Sequence, residues 1–134
     1  KYRKKFTPAE MSEFTDHFSR LLQNTYLNKI QAEYKNEKIN YLSQKKGSGD
    51  KSDRALVKTE IVRENVAIPV HYTLWLNKGL WRVYDIKVEG VSLVKNYRNQ
   101  FRQILLKNPP AHLIGKVRDK VAQQKKEGTG DDKL

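Results

Sequence analysis

Apolar residues in this chain keep two different periods, and the order of those periods constrains the fold more than any other feature. Met11, Phe14, Phe18, Leu21, Leu22, Tyr26 and Ile30 recur every three or four positions, the repeat of a helix with one apolar, aromatic-rich face. Thr7-Pro8-Ala9-Glu10 supplies the start of that helix: a capping hydroxyl, proline at the first helical position and a reciprocal Glu three residues on. From Lys38 the period falls to two. Ile39, Tyr41 and Ser43 alternate with Asn40 and Leu42 up to the loop Gly47-Ser48-Gly49-Asp50, which runs on to Asp53. Three further strands are predicted at about Arg54–Glu64, Ala67–Leu76 and Leu80–Glu89, with a turn at Asn77-Lys78-Gly79. Pro69 argues against a central place for the start of the third strand.

After Gly90 the helical period returns. Ser92 is the predicted N-cap, and Leu93, Val94, Tyr97, Phe101, Ile104 and Leu105 form the apolar stripe. Asn108-Pro109-Pro110 ends that helix, and a last one, about Pro110–Lys126, carries a thinner stripe of Leu113, Val117 and Val121. The expectation is one α+β domain over residues 1–127, a twisted four-stranded antiparallel sheet with helices around it, and a disordered tail at 128–134.

Composition bounds the chemistry. The 134 residues include no Cys, which excludes disulfide scaffolds, thiol nucleophiles and Cys-ligated zinc. No apolar run reaches the roughly 18–20 residues of a membrane span. The chain opens without Met and without a signal segment, so it reads as a processed product or an excised piece. With 27 Lys and Arg against 15 Asp and Glu, the formal net charge is +12, favouring polyanionic partners. The positive charges are dispersed rather than gathered in a stripe.

Catalytic patterns are lacking. The three His, at 17, 71 and 112, have no ligand spacing, and no nucleophile elbow, zinc-protease motif or phosphate loop is present. If Lys78-Gly79 closes a two-residue hairpin, Leu76 faces Trp81, Leu74 faces Val83 and Tyr72 faces Asp85. Trp75, Tyr84, Ile86 and Val88 then share the opposite face. In that register Asp85 is satisfied by the Tyr72 hydroxyl, a structural role weighed above general-base work. The helix faces and the sheet face together form either an ordinary core or the lining of an apolar cavity; periodicity alone does not separate the two.

The run from Trp81 to Phe101 closely resembles the W-x-V-x-D-x-x-x-E-G-V-S-L-x-x-x-Y-R-x-x-F signature of the MlaC-type, or toluene-tolerance, family of periplasmic phospholipid-binding proteins. Upstream, Thr7-Pro8-Ala9-Glu10 with Phe14, Phe18, Leu22, Thr25 and Tyr26 is similar to that family's first matching helix, and Ile68-Pro69-Val70 with Tyr72 to its I-P-V-x-Y strand. The resemblance implies a fold similar to the nuclear-transport-factor-2/cystatin-like class. It also implies a monomeric, non-enzymatic carrier in the Gram-negative periplasm, with no cofactor, metal or nucleic acid. The ligand implied is a diacyl phospholipid, passed by transient docking between an outer-membrane lipoprotein/porin complex and an inner-membrane ABC-type lipid transporter, maintaining outer-membrane lipid asymmetry.

The cavity is expected to be lined by Phe14, Phe18, Leu21, Leu22, Tyr41, Tyr72, Leu74, Trp81, Val83, Leu93, Tyr97 and Phe101. Asp85, Glu89, Gly90 and Ser92 are expected to hold the strand-to-helix corner, with Glu89 helping to neutralise the free N–H groups of the helix. Family members carry further helices ahead of the segment matching Lys1, so one cavity wall would lie outside this chain. The rival reading, a basic α+β module binding nucleic acid or another polyanion, calls for aromatic rings on an exposed basic face instead.

Overall fold

The structure is a computed structural model that describes residues 2–33, 35–128 and 133–134, and the side chains of all of these but 27–33. The elements follow the predicted order: α1 (Pro8–Glu33), β1 (Lys38–Lys46), β2 (Arg54–Arg63), β3 (Val66–Asn77), β4 (Leu80–Val88), β5 (Val91–Ser92), α2 (Leu93–Lys107) and α3 (Pro110–Glu127). The chain gathers into two compact units. One comprises residues 1–35 and 99–134, the other residues 36–98.

In the helical unit, α1 starts as its sequence dictates. The Thr7 N–H donates to Glu10 Oε2 at 2.8 Å and the Glu10 N–H donates to Thr7 Oγ1 at 3.2 Å, so the capping box is closed from both sides. Lys5 Nζ donates to the Leu105 carbonyl at 2.9 Å, placing a cation where the last turns of α2 expose their oxygens. The buried centre is formed by Leu21, Leu105, Leu113, Ile114, Val117 and Val121. α3 thus carries a fuller core than its thin stripe suggests: a short Val or Leu set suffices where the opposing surface is close. Inside this core the Gln124 Nε2 amide donates to Thr25 Oγ1 at 2.8 Å, joining α3 to α1 through a buried polar pair. Ile30 lies outside the described side chains, and most of the 128–134 tail lies outside the described residues. Leu134 N–H donates to Gln100 Oε1 at 3.1 Å.

The second unit is built on an antiparallel meander in the order β1-β2-β3-β4-β5. It has five strands rather than the expected four, because Glu89-Gly90 is a hairpin turn and not a direct strand-to-helix corner. Arg63 pairs with Val66, Asn77 with Leu80 and Val88 with Val91, leaving two-residue loops with positive φ at both positions: Glu64 and Asn65, Lys78 and Gly79, Glu89 and Gly90. That is the turn whose twist matches the strands it joins.

Pro69 sits near the start of a central strand without breaking the sheet. A strand residue's nitrogen and carbonyl point to the same side. The Pro69 carbonyl accepts from the Glu89 N–H at 2.9 Å, past the point where the β3–β4 ladder ends at Val70 and Val88. The proline nitrogen therefore faces a side on which the ladder makes no demand for a donor.

Two bulges set which side chains share a face. One falls between Tyr41 and Ser43 in β1, the other where β4 passes from Val83 to Asp85 opposite Leu74 and Thr73. The second makes Tyr84 an extra residue and reverses the alternation beyond it. Tyr72 consequently faces Ile86, not Asp85, while Asp85 lies opposite Thr73.

Candidate functional site

The register assembles one continuous apolar sheet face. Successive rungs across β1 to β4 read Ile39–Ile61–Ile68, Tyr41–Thr59–Val70–Val88, Gln44–Val57–Tyr72–Ile86 and Lys46–Ala55–Leu74–Val83, closing on Leu76–Trp81. Ile86 and Val88, expected on the opposite face with Trp75 and Tyr84, belong here because of the Tyr84 bulge. Along β3, from Ile68 to Leu76, the face runs about 26 Å, against about 15 Å for the acyl layer of one membrane leaflet.

The face is graded. Its middle is closed, with Val70 only 5% exposed, and the buried Thr59 hydroxyl is satisfied by donating to the Val70 carbonyl at 2.8 Å. Its margins are open: Tyr41 is 78% exposed and Val83 50%, with Trp81 and Val88 exposed as well. Apolar side chains left in water over several neighbouring rungs mark a surface that gains free energy by being covered. Charge at the two ends is managed. Arg63 meets Glu37 at 2.6 Å, and the Lys46 ammonium lies 5.9 Å from the centre of the Trp81 ring.

The helical unit holds Phe14 and Phe18 of α1 and Phe101 of α2. Phe14 and Phe18 lie 5.6 Å apart, and Phe101 meets them edge-on at 5.3 Å and 5.0 Å. Phe6 joins at 5.5 Å from Phe14, a contact that helical spacing did not offer because Phe6 precedes the helix. Leu22 is half-buried, and in the sheet unit Leu93, at the start of α2, is half-buried too. Leu21 of the helical unit and Tyr97 of the sheet unit are closed, at 0% and 2% exposure.

At the corner after β5, the Ser92 hydroxyl donates to Asp85 Oδ2 at 2.7 Å and accepts from the Lys95 N–H at 3.0 Å. The Val94 N–H donates to Asp85 Oδ1 at 3.1 Å. Asp85 therefore caps the helix start together with Ser92, the part expected of Glu89, and its expected bond to Tyr72 is absent because the two residues lie on opposite faces. Glu89 and Gly90 turn the β4–β5 hairpin instead. His17 lies 3.7 Å from Glu13 on α1. Among the described residues no group of three or more His, Cys, Asp or Glu could hold a metal ion, and no helix is long and apolar enough to cross a membrane.

The family described as MlaC protein matches residues 1–119. The toluene tolerance protein ttg2D of Pseudomonas putida is 35% identical over 109 residues, which make up 81% of this chain and 49% of that protein. The chain thus spans about half the length of this relative. A phospholipid-binding protein from Ralstonia solanacearum, solved in complex with a phospholipid, has a similar fold, with a TM-score of 0.79 and 23% identity over 92% of this chain and 68% of that one.

Proposed function

This chain belongs to the MlaC family, and we propose that it is a phospholipid carrier that takes up acyl chains on the apolar face of its sheet. The observation that carries this reading is the open margin of that face, where Tyr41, Trp81 and Val83 stand exposed beside the half-buried Tyr72, Leu74 and Ile86. A dozen methylenes withdrawn from water at about 0.8 kcal/mol each supply on the order of 10 kcal/mol. Binding of that strength needs no headgroup contact, so the carrier reads tails and leaves headgroups in water. Phe14, Phe18 and Phe101 offer the same apolar chemistry within the helical unit.

On this reading the protein works in the periplasm of a Gram-negative bacterium. It takes a diacyl phospholipid from one membrane complex to another by transient docking, and the exchange sustains outer-membrane lipid asymmetry. Its fold falls in the nuclear-transport-factor-2-like class. It carries out no chemical step: Asp85, the acid that drew notice in the sequence, is engaged at a helix start.

The test is mass spectrometry of organic extracts from the protein purified without detergent, joined to transfer of a fluorescent phospholipid between vesicles. The expected result is diacyl phospholipid at a substantial molar fraction, with headgroups following host abundance, and accelerated transfer. A folded protein that holds only trace lipid and leaves transfer at its spontaneous rate would overturn the carrier reading.

A further inference from the structure

One end of the sheet differs in character from the rest. The β1–β2 connection, closed by the Gly47 N–H donating to the Arg54 carbonyl at 2.8 Å, lies beside the β3–β4 hairpin there, joined to it by the Leu76 N–H donating to the Asp53 carbonyl at 2.8 Å. This end carries six exposed cations, Lys45, Lys46, Lys51, Arg54, Lys78 and Arg82, against two acids, Asp50 and Asp53. Asp53 is already engaged: it accepts the Trp75 indole N–H at 2.9 Å and lies 3.4 Å from Arg54. Among the cations stand large apolar side chains in water, with Leu80 59% exposed and Trp75 38%, and Trp81 and Tyr84 exposed beside them. Both tryptophans of the chain are here.

We propose that this hairpin end is a docking edge for the surface of an anionic bilayer. Tryptophan and tyrosine have their preferred depth at the boundary between headgroups and acyl chains, where an apolar ring and a polar edge are both accommodated. Lysine and arginine around them meet the negative surface potential, each worth about a fivefold gain in affinity near the surface. Leu80, adjoining the Lys78-Gly79 turn, is placed to bury an aliphatic chain in the same layer.

Single-stranded nucleic acid fits less well. Base stacking needs open ring faces, and the Arg54 guanidinium already lies over Trp75 at 5.3 Å and over Tyr84 at 5.6 Å. Trp75 is held in place from two sides, by Arg54 over its ring and Asp53 at its edge, and so is ordered before any partner arrives. The proposal stands on this surface alone. It also supplies what a carrier needs, since Trp81 and Val83 continue from this end directly onto the apolar face.

The experiment uses the intact chain and its two tryptophans as reporters. Trp81→Phe leaves Trp75, on the polar face, as the sole indole; Trp75→Phe leaves Trp81, on the apolar face. Vesicles of phosphatidylcholine alone are compared with vesicles containing phosphatidylglycerol, by co-sedimentation and tryptophan emission, at low and high salt. Docking requires a blue shift of Trp75 on the anionic vesicles, reversal by salt, and a loss of about 20-fold or more for Lys51→Glu with Lys78→Glu. Lys125→Glu with Lys126→Glu, on α3, should leave binding nearly unchanged.

Vesicle binding that leaves Trp75 in water, that is equal on zwitterionic and anionic vesicles, or that ignores the charge reversals would overturn the proposal. So would tighter, salt-sensitive binding of a single-stranded RNA oligonucleotide through the same cations. Uptake of lipid without docking would shift Trp81 alone and leave the protein in the supernatant. Docking without lipid uptake would shift Trp75 and sediment the protein while its extracts stay free of lipid, so the two readings fail separately.

Discussion

Asp85 and Ser92, seven residues apart, meet side chain to side chain at 2.7 Å, and the pair together receives the N–H groups of Val94 and Lys95 at the start of α2. A carboxylate at this position is stabilised by the helix N-terminus as well as by its bonds. Ser92→Ala should cost about 1 kcal/mol through the lost cap. Asp85→Leu should cost about 1–3 kcal/mol, since it strands the Ser92 hydroxyl and the Val94 N–H. In a double-mutant cycle by urea unfolding, the combined loss should fall short of the sum, because one bond is counted in both single variants. Strict additivity would show that the two residues act separately.

Val83→Lys is expected to empty the apolar face of lipid without unfolding the protein. Val83 is half exposed and lies in the rung of Leu74, so a lysine there finds water for its ammonium while setting a charge among acyl chains. The stability change should stay within about 0.5 kcal/mol, the range of surface substitutions. Lipid per protein in organic extracts should fall severalfold. Lys58→Ala, on the polar face, should leave lipid content as it was.

The Thr25–Gln124 bond offers a test of how the helical unit is held. Thr25→Val removes the acceptor at the centre of the packed core and should cost about 1–3 kcal/mol. Adding Gln124→Leu should recover part of that loss, because it removes the buried donor that Thr25→Val strands. Thermal unfolding of the two single variants and the double variant would show it; a double variant less stable than either single one would contradict this account.

Breaking the capping box should be felt locally. Thr7→Ala should lower stability by about 1 kcal/mol and raise hydrogen exchange over the first turn of α1, with the strands unaffected. Thr7→Ser should restore both.

Local signals were read from the sequence and are met in the structure. Thr7 and Glu10 close their box, Ser92 caps α2, Lys78-Gly79 turns the hairpin, and the element boundaries fall within a residue or two of those predicted. Each depends on residues three or four apart, whose interactions survive whatever the rest of the chain does. The family, too, was legible, because its signature is a contiguous run from Trp81 to Phe101. The strand faces were not. Trp81-Arg82-Val83-Tyr84-Asp85-Ile86 alternates equally well in either phase, and only pairing with β3 reveals Tyr84 as an extra residue that sends Asp85 to Ser92 and Ile86 to the apolar face. Likewise Glu64-Asn65 and Glu89-Gly90 look unremarkable as turns until the strands on either side hold them at positive φ. Which apolar residues end up closed, as Leu21 and Val70 are, and which stay open, as Val83 and Tyr41 do, was also decided by the tertiary structure. A side chain's period says which way it points along its own element; what covers it depends on residues far along the chain, and only the folded contacts bring those into place.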